Sequence, residues 1–313
     1  MKLGTYKYLM YTISVFEIFY SILDILVSPI IHSYGSAFLV LAKDSEYISK
    51  DILLILDAIY CGSFGSSMGF FAIHFVYRYF VASGSKLIKS FNDFQAIFWF
   101  SIPISFGIIW GSVSYFLCGP NITTDQYIRN NILEAFDLQI SDIIYIGPYF
   151  YPKDENGVHY IDLNHVSAVL INWALLTISF ITIITFGLKC YFKITKLVRN
   201  SRLSCKYQKI QTQLFYALVT QTMIPIILMH LPVSTMFLFT FFSKDIGMLS
   251  DIVTITISLF PAIDPLPTLF IVQEYRKTIF GFFRNLIWRV LEPQNWFFVS
   301  RTSQQLSNND INF

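Results

Sequence analysis

The chain has 313 residues, of which 54% are hydrophobic and only 13% charged, with a mean hydropathy of +0.55 and a formal net charge of +2. Soluble globular domains carry about 25% charged residues, so this composition excludes an ordinary water-soluble enzyme or binding module. It describes a chain that crosses a membrane several times. Four cysteines, Cys61, Cys118, Cys190 and Cys205, fall at unrelated spacings, which fits neither a disulfide framework nor a zinc site.

A membrane helix needs about 20 mostly apolar residues. Six stretches qualify, at about 8–31, 52–77, 94–117, 166–188, 214–242 and 246–273. The expected fold is therefore all-α, a polytopic transmembrane helix bundle. The first run is long enough to be a span or signal anchor, and no cleavage-site pattern comes after it. Lys and Arg divide seventeen to five between the two sets of alternating loops. The positive-inside bias then places both termini in the cytoplasm. The acidic 118–165 loop falls outside, and with it the sequon Asn121-Ile122-Thr123, a candidate glycosylation site.

In the first span, Glu17 and Asp24 lie seven residues apart and share a helix face. Carboxylates inside a membrane face the bundle interior and find a partner. The second span carries Gly62, Gly65, Ser66 and Gly69, small residues that let another helix approach closely, so it reads as the central helix. It ends at Tyr77-Arg78-Tyr79, at the cytoplasmic boundary. Gly65-Ser66-Ser67-Met68-Gly69 also spells the G-x-S-x-G of a hydrolase elbow, but that motif needs a strand, a sharp turn and a helix.

The long outer loop contains Gly147, Pro148, Tyr149, Phe150, Tyr151 and Pro152, which read either as a lid over a cavity or as an interfacial aromatic belt. A Cys61–Cys118 disulfide is not expected, because Cys61 lies some ten residues inside its span. The fourth span runs into a segment from Lys189 to Lys209 with no acidic residue. Lys196, Arg199 and Arg202 recur at helical spacing there, facing anionic lipid or an acidic partner.

The fifth span holds Pro225 and Pro232, seven apart and hence on one face of a regular helix, with His230 between them. Two such prolines bend a helix and weaken its ladder, which makes a pivot. The sixth ends in Pro261, Asp264 and Pro265 and leads on to Tyr275 and Arg276, a hinge and then an interfacial anchor. Aromatic and basic residues over 276–291 read as a helix on the membrane surface. The Ser/Asn/Gln-rich tail, 293–313, reads as disordered.

These pieces in this order resemble the nematode serpentine chemoreceptors of the Str class and its j-class relatives. The resemblance is carried by Leu3-Gly4-Thr5-Tyr6-Lys7-Tyr8-Leu9-Met10 with 16–24, and by Pro29 with His32 to Ser36. It continues through His74 to Tyr79, Gln213 to Pro232, and Pro261 to Pro265 with Tyr275-Arg276 beyond them. It implies a seven-span G-protein-coupled receptor, in the plasma membrane and the cilium of a chemosensory neuron, that binds an odorant-type small molecule between its helices.

Its implied partners are that ligand, a heterotrimeric G protein, membrane lipid and a second receptor copy in a dimer. Neither a cofactor, a metal nor nucleic acid is implied. Tyr77, Arg78 and Tyr79, with Lys196, Arg199 and Arg202, would form the G-protein switch. In the family the 3–10 stretch comes after a complete transmembrane helix, so the six spans read as a seven-span receptor without its first.

Two other readings stand beside it. A shortened form could be non-signalling or dominant-negative. A six-span rhomboid-like serine protease would use Ser67 as nucleophile and His230 as base, although the rhomboid pattern places Gly where this chain has Met68. No internal repeat supports a transporter or channel. No charged constellation in the spans singles out a ligand.

Overall fold

The computed structural model describes residues 6–199, 204–244 and 247–291. The tail from 293 and Arg202 lie outside the described residues. Among those described are six helices long and apolar enough to cross a membrane: Tyr8–Val27, Lys50–Ser83, Ala96–Cys118, Leu163–Arg199, Cys205–Phe241 and Ser250–Ile271.

The chain opens with α1 (Tyr6–Val27). Ser28 then adopts a left-handed φ of 47° ahead of Pro29, and a residue before proline is kept from continuing a helix. The apolar run to residue 31 is thus not all helix. It turns into β1 (Ile30–Tyr34), paired antiparallel with β2 (Ala37–Lys43). Gly35, at φ 53°, makes the turn between them. β2 also pairs antiparallel with β3 (Ile143–Ile146), which comes from the long loop. This three-stranded sheet is the main addition to the helical bundle, and it closes one end, here the sheet end. The other end carries most of the Lys and Arg and is the basic end.

Helix α2 (Lys50–Ser83) is the most buried of the spans and packs chiefly against α3 (Ala96–Cys118) and α5 (Leu163–Arg199). Its glycines explain why. A Cβ on Gly62 would lie 2.5 Å from the Gly107 carbonyl oxygen, and one on Gly111 2.7 Å from that of Ala58. Backbone meets backbone along this seam, and dispersion and close packing hold it together. α2 ends on Gly84, in the left-handed conformation that helix ends favour.

Outside the bundle, α4 (Ile122–Phe136) is capped by Asn121, whose side-chain oxygen accepts from Thr124 N at 2.9 Å. α5 continues past its apolar part as far as Arg199, so Lys193, Lys196 and Arg199 stand exposed on its last turns, an extension of the apolar helix.

α6 (Cys205–Pro225) and α7 (Leu231–Phe241) are joined by a π-turn over Ile226–His230. Pro232 has no N–H to give a regular ladder, and Leu231 N instead donates to the Ile226 carbonyl, five residues back. The wider turn rotates α7 relative to α6, so Pro225 and Pro232 do not share a face. Pro225 is buried and Pro232 half-exposed.

α8 (Gly247–Ile263) breaks at Asp264-Pro265 before the short α9 (Leu266–Ile271). α10 (Gln273–Leu291) comes last, with Phe280, Phe282 and Phe283 exposed.

Candidate functional site

Beneath the sheet lies a cavity of about 70 Å³. Phe64, Trp110, Trp173, Phe237 and Ile257 line it from the helices, and Phe38 from β2. Its roof is built from backbone. Phe38 N donates to the Pro148 carbonyl at 3.0 Å, Gly147 N to that of Cys118 at 2.8 Å, and Phe150 N to that of Ser36 at 3.0 Å. A Cβ on Gly147 would lie 1.9 Å from the Phe38 oxygen, so only glycine fits this crossing. Of the two readings of the aromatic loop, this geometry is that of a lid.

The lid is tied down at its margins. His165 Nδ1 lies 2.8 Å from the Tyr149 carbonyl, and Ile31 N donates to Thr254 Oγ1 at 2.9 Å. Burial, reinforced by Tyr127, Tyr160 and Tyr34, pushes the Tyr149 hydroxyl up to about 12. A second, larger space of about 780 Å³ lies between α1, α2 and α3, but it is an open apolar groove on the bundle's flank.

Two polar groups at or beside the covered cavity lack full hydrogen bonding. Asn172 donates to Ser114 Oγ at 3.4 Å while its Oδ1 has no partner. Asp57 is completely buried on α2, and neither of its oxygens has a partner. Buried polar groups nearly always do. Asp57 is hard to single out in the sequence because a lone aspartate near a helix start, close to Asp51, looks like an interfacial residue. The signal available is its spacing from Tyr60, Cys61 and Phe64. Cys61 and Cys118 both line the cavity and are free thiols.

The floor leads into the pivot. Phe64 packs on the His230 ring, with centroids 4.5 Å apart, and His230 sits in the π-turn. His230 Nε2 lies 3.0 Å from Ser67 Oγ, so the structure does bring the two residues of the protease reading together. The serine hydroxyl, however, donates to the Phe64 carbonyl at 2.8 Å. His230 then supplies the proton of the Ser67 contact and is no base toward it. Gly65 to Gly69 also lie in the middle of a continuous helix rather than on a strand-to-helix elbow.

A polar cluster joins α6 to the α8–α9 break near the basic end. Gln221 of α6 donates to the Asp264 carbonyl at 3.1 Å and to Asp264 Oδ2 at 3.3 Å, and it accepts from Thr268 Oγ1 at 2.8 Å. Glu17 of α1 borders the same small cavity as Gln221 and Thr268. Asp24 stands apart from this cluster, accepting from Tyr60 and Ser258 at 3.2 Å each. The last-helix break and the α6 pivot are therefore bonded to each other, which spacing alone does not reveal.

At the basic end of α2, buried Arg78 donates from Nη2 to the Gln211 carbonyl of α6 at 2.9 Å. Tyr77 packs edge-on to Phe91 and Tyr79 against Phe186. Lys196 and Arg199 stand on the α5 extension at this same end, and Gln208 of α6 donates to the Leu197 carbonyl at 3.2 Å. Tyr275 is half-buried, and Arg276 Nη1 reaches the Phe270 carbonyl at 3.5 Å.

Residues 1–280 match the family described as the serpentine type 7TM GPCR chemoreceptor Str. The chain is 36% identical over 287 residues to G-protein coupled receptor str-217 of Caenorhabditis elegans, covering 90% of this chain and 81% of that protein. It is 32% identical to Serpentine receptor class r-10 of Caenorhabditis briggsae, covering 90% and 82%. Serpentine receptor class J-38 of Caenorhabditis elegans is 22% identical, covering 93% and 87%. No solved structure matches. This chain, a multi-pass membrane protein with a covered cavity at one end and a buried arginine at the other, belongs to the Str family of serpentine chemoreceptors.

Proposed function

We propose that the chain binds a small, mainly apolar molecule in the cavity under the sheet and signals to a heterotrimeric G protein at the basic, cytoplasmic end. The observation that carries this reading is the continuity of α2. Its Phe64 lines the cavity and rests on His230 of the pivot, while its Arg78 holds the other end of α6. A ligand that displaces Phe64 changes the support of the π-turn, the weakest point in the α6–α7 ladder. The movement reaches the Arg78–Gln211 contact along a rigid helix.

In this reading Arg78, flanked by Tyr77 and Tyr79, is the switch. Lys196, Arg199 and Arg202 meet the G protein or anionic headgroups. Pro225, Pro232, Pro261, Asp264 and Pro265 are the moving joints, and Tyr275 and Arg276 anchor α10 on the membrane surface. Asn121 is exposed and carries a glycan on the outer face of the plasma membrane.

The test is a G-protein reporter assay in cells at matched surface levels, using a panel of small alcohols, aldehydes, ketones, acids and amines. A panel member is expected to activate the wild type, and Arg78→Ala to lower that response about tenfold or more. The Gln211 acceptor is main-chain, so replacing the Gln211 side chain leaves the bond in place and should cost far less. An unchanged response in Arg78→Ala would sink the switch.

A further inference from the structure

We propose that the covered cavity takes a small protonated amine, whose ammonium group is received by the Asp57 carboxylate. This rests on the cavity being the ligand site. Positions 57, 60, 61 and 64 share one face of α2. Tyr60, Cys61 and Phe64 of that face line the cavity, and Asp57, not itself on the lining, continues the face one turn toward the sheet.

Asp57 is fully buried with two unpartnered oxygens, and Asn172 Oδ1 is a third unpartnered acceptor, on α5. The cavity lining contains no Lys, Arg or His. A further charge bonded to that lining is another carboxylate, Asp24, which accepts from the Tyr60 hydroxyl. Acceptors without donors, and negative charge without positive, are costly to bury. An alkylammonium head brings three N–H donors and one positive charge. An alcohol brings a single donor, a ketone none, and a carboxylate adds repulsion. The cavity's size restricts the hydrocarbon to a few carbons among Phe64, Trp110 and Phe237.

The experiment titrates the purified full chain in lipid nanodiscs with butylamine, butanol, butanone and butyrate, following quenching of Trp110 and Trp173 with Trp110→Phe as control. Butylamine is expected to saturate at a concentration about tenfold or more below the other three. Asp57→Asn should bring the four probes to a similar weak affinity, and Asp57→Glu should restore the preference for the amine. If butanol or butanone binds as tightly as butylamine, or if Asp57→Asn keeps the preference, the amine inference falls while the cavity stands as a ligand site. If no probe quenches saturably, both fall. Should Asp57→Asn fail to fold, the wild-type ranking of the four probes decides.

Discussion

Replacing Gly62 by valine is expected to abolish delivery of the protein to the cell surface. The first added carbon alone would lie 2.5 Å from the Gly107 carbonyl oxygen and 3.4 Å from the Gly111 Cα. These are backbone atoms of a facing helix, so no rotamer change relieves the contact and α2 and α3 must separate. Overpacking costs about 1–3 kcal/mol when a core can adjust, and a backbone-to-backbone seam lies at or beyond the upper end of that range. Separation would also shift Trp110, whose ring lies 2.6 Å from a Cβ placed on Gly65, and with it the cavity wall. Gly281→Ala is the control, because nothing lies within 4 Å of its added carbon. Surface labelling and detergent melting curves read both. A Gly62→Val protein that reaches the surface at the level of Gly281→Ala would contradict the packing account.

The second large effect is expected from Gln221→Leu. That substitution removes both donations to Asp264 and the acceptor of Thr268, leaving three buried polar partners unsatisfied. Each such group costs about 1–3 kcal/mol, so the melting temperature should fall clearly, and further than in Thr268→Val, which removes one bond. Loss of this tie also frees the Asp264-Pro265 break from α6. Equal melting temperatures for wild type and Gln221→Leu would show that the cluster contributes nothing.

Much of the bundle is legible in the sequence, for a definite reason. A lipid solvent demands about 20 apolar residues for each span, and interruptions by Pro, Asp and Gly stand out against that background. The sheet is not legible. Ile30–Tyr34 and Ala37–Lys43 are buried almost throughout and so lack the alternation that marks a half-exposed strand. The first of them merges with the apolar run of α1.

Both prolines of the fifth span are visible, but the π-turn that rotates them apart is a hydrogen-bonding choice with no spacing signature. Glu17 and Asp264 can each be picked out as intramembrane carboxylates, while the bond from Gln221 to Asp264 across the bundle is a tertiary fact. Ser67 and His230 show the opposite case. The motif and the distance agree with a catalytic dyad, and only the direction of the serine hydroxyl and the helical setting give the pair a structural role.

The most direct test of the signalling mechanism is the distance between the basic ends of α2 and α6 as ligand enters the cavity. Cys205, the one exposed cysteine among the four, is a ready labelling position on α6, and Leu87→Cys supplies an exposed partner just beyond α2. Spin labels at these two positions in nanodiscs, with butylamine added until Trp110 and Trp173 quenching saturates, should give a longer distance distribution. The expected change exceeds the about 1–2 Å of a simple helix shift. If the cavity fills and the Cys205 to residue 87 distance stays as it was, the cavity and Arg78 are not coupled through α6, and the signalling account is wrong.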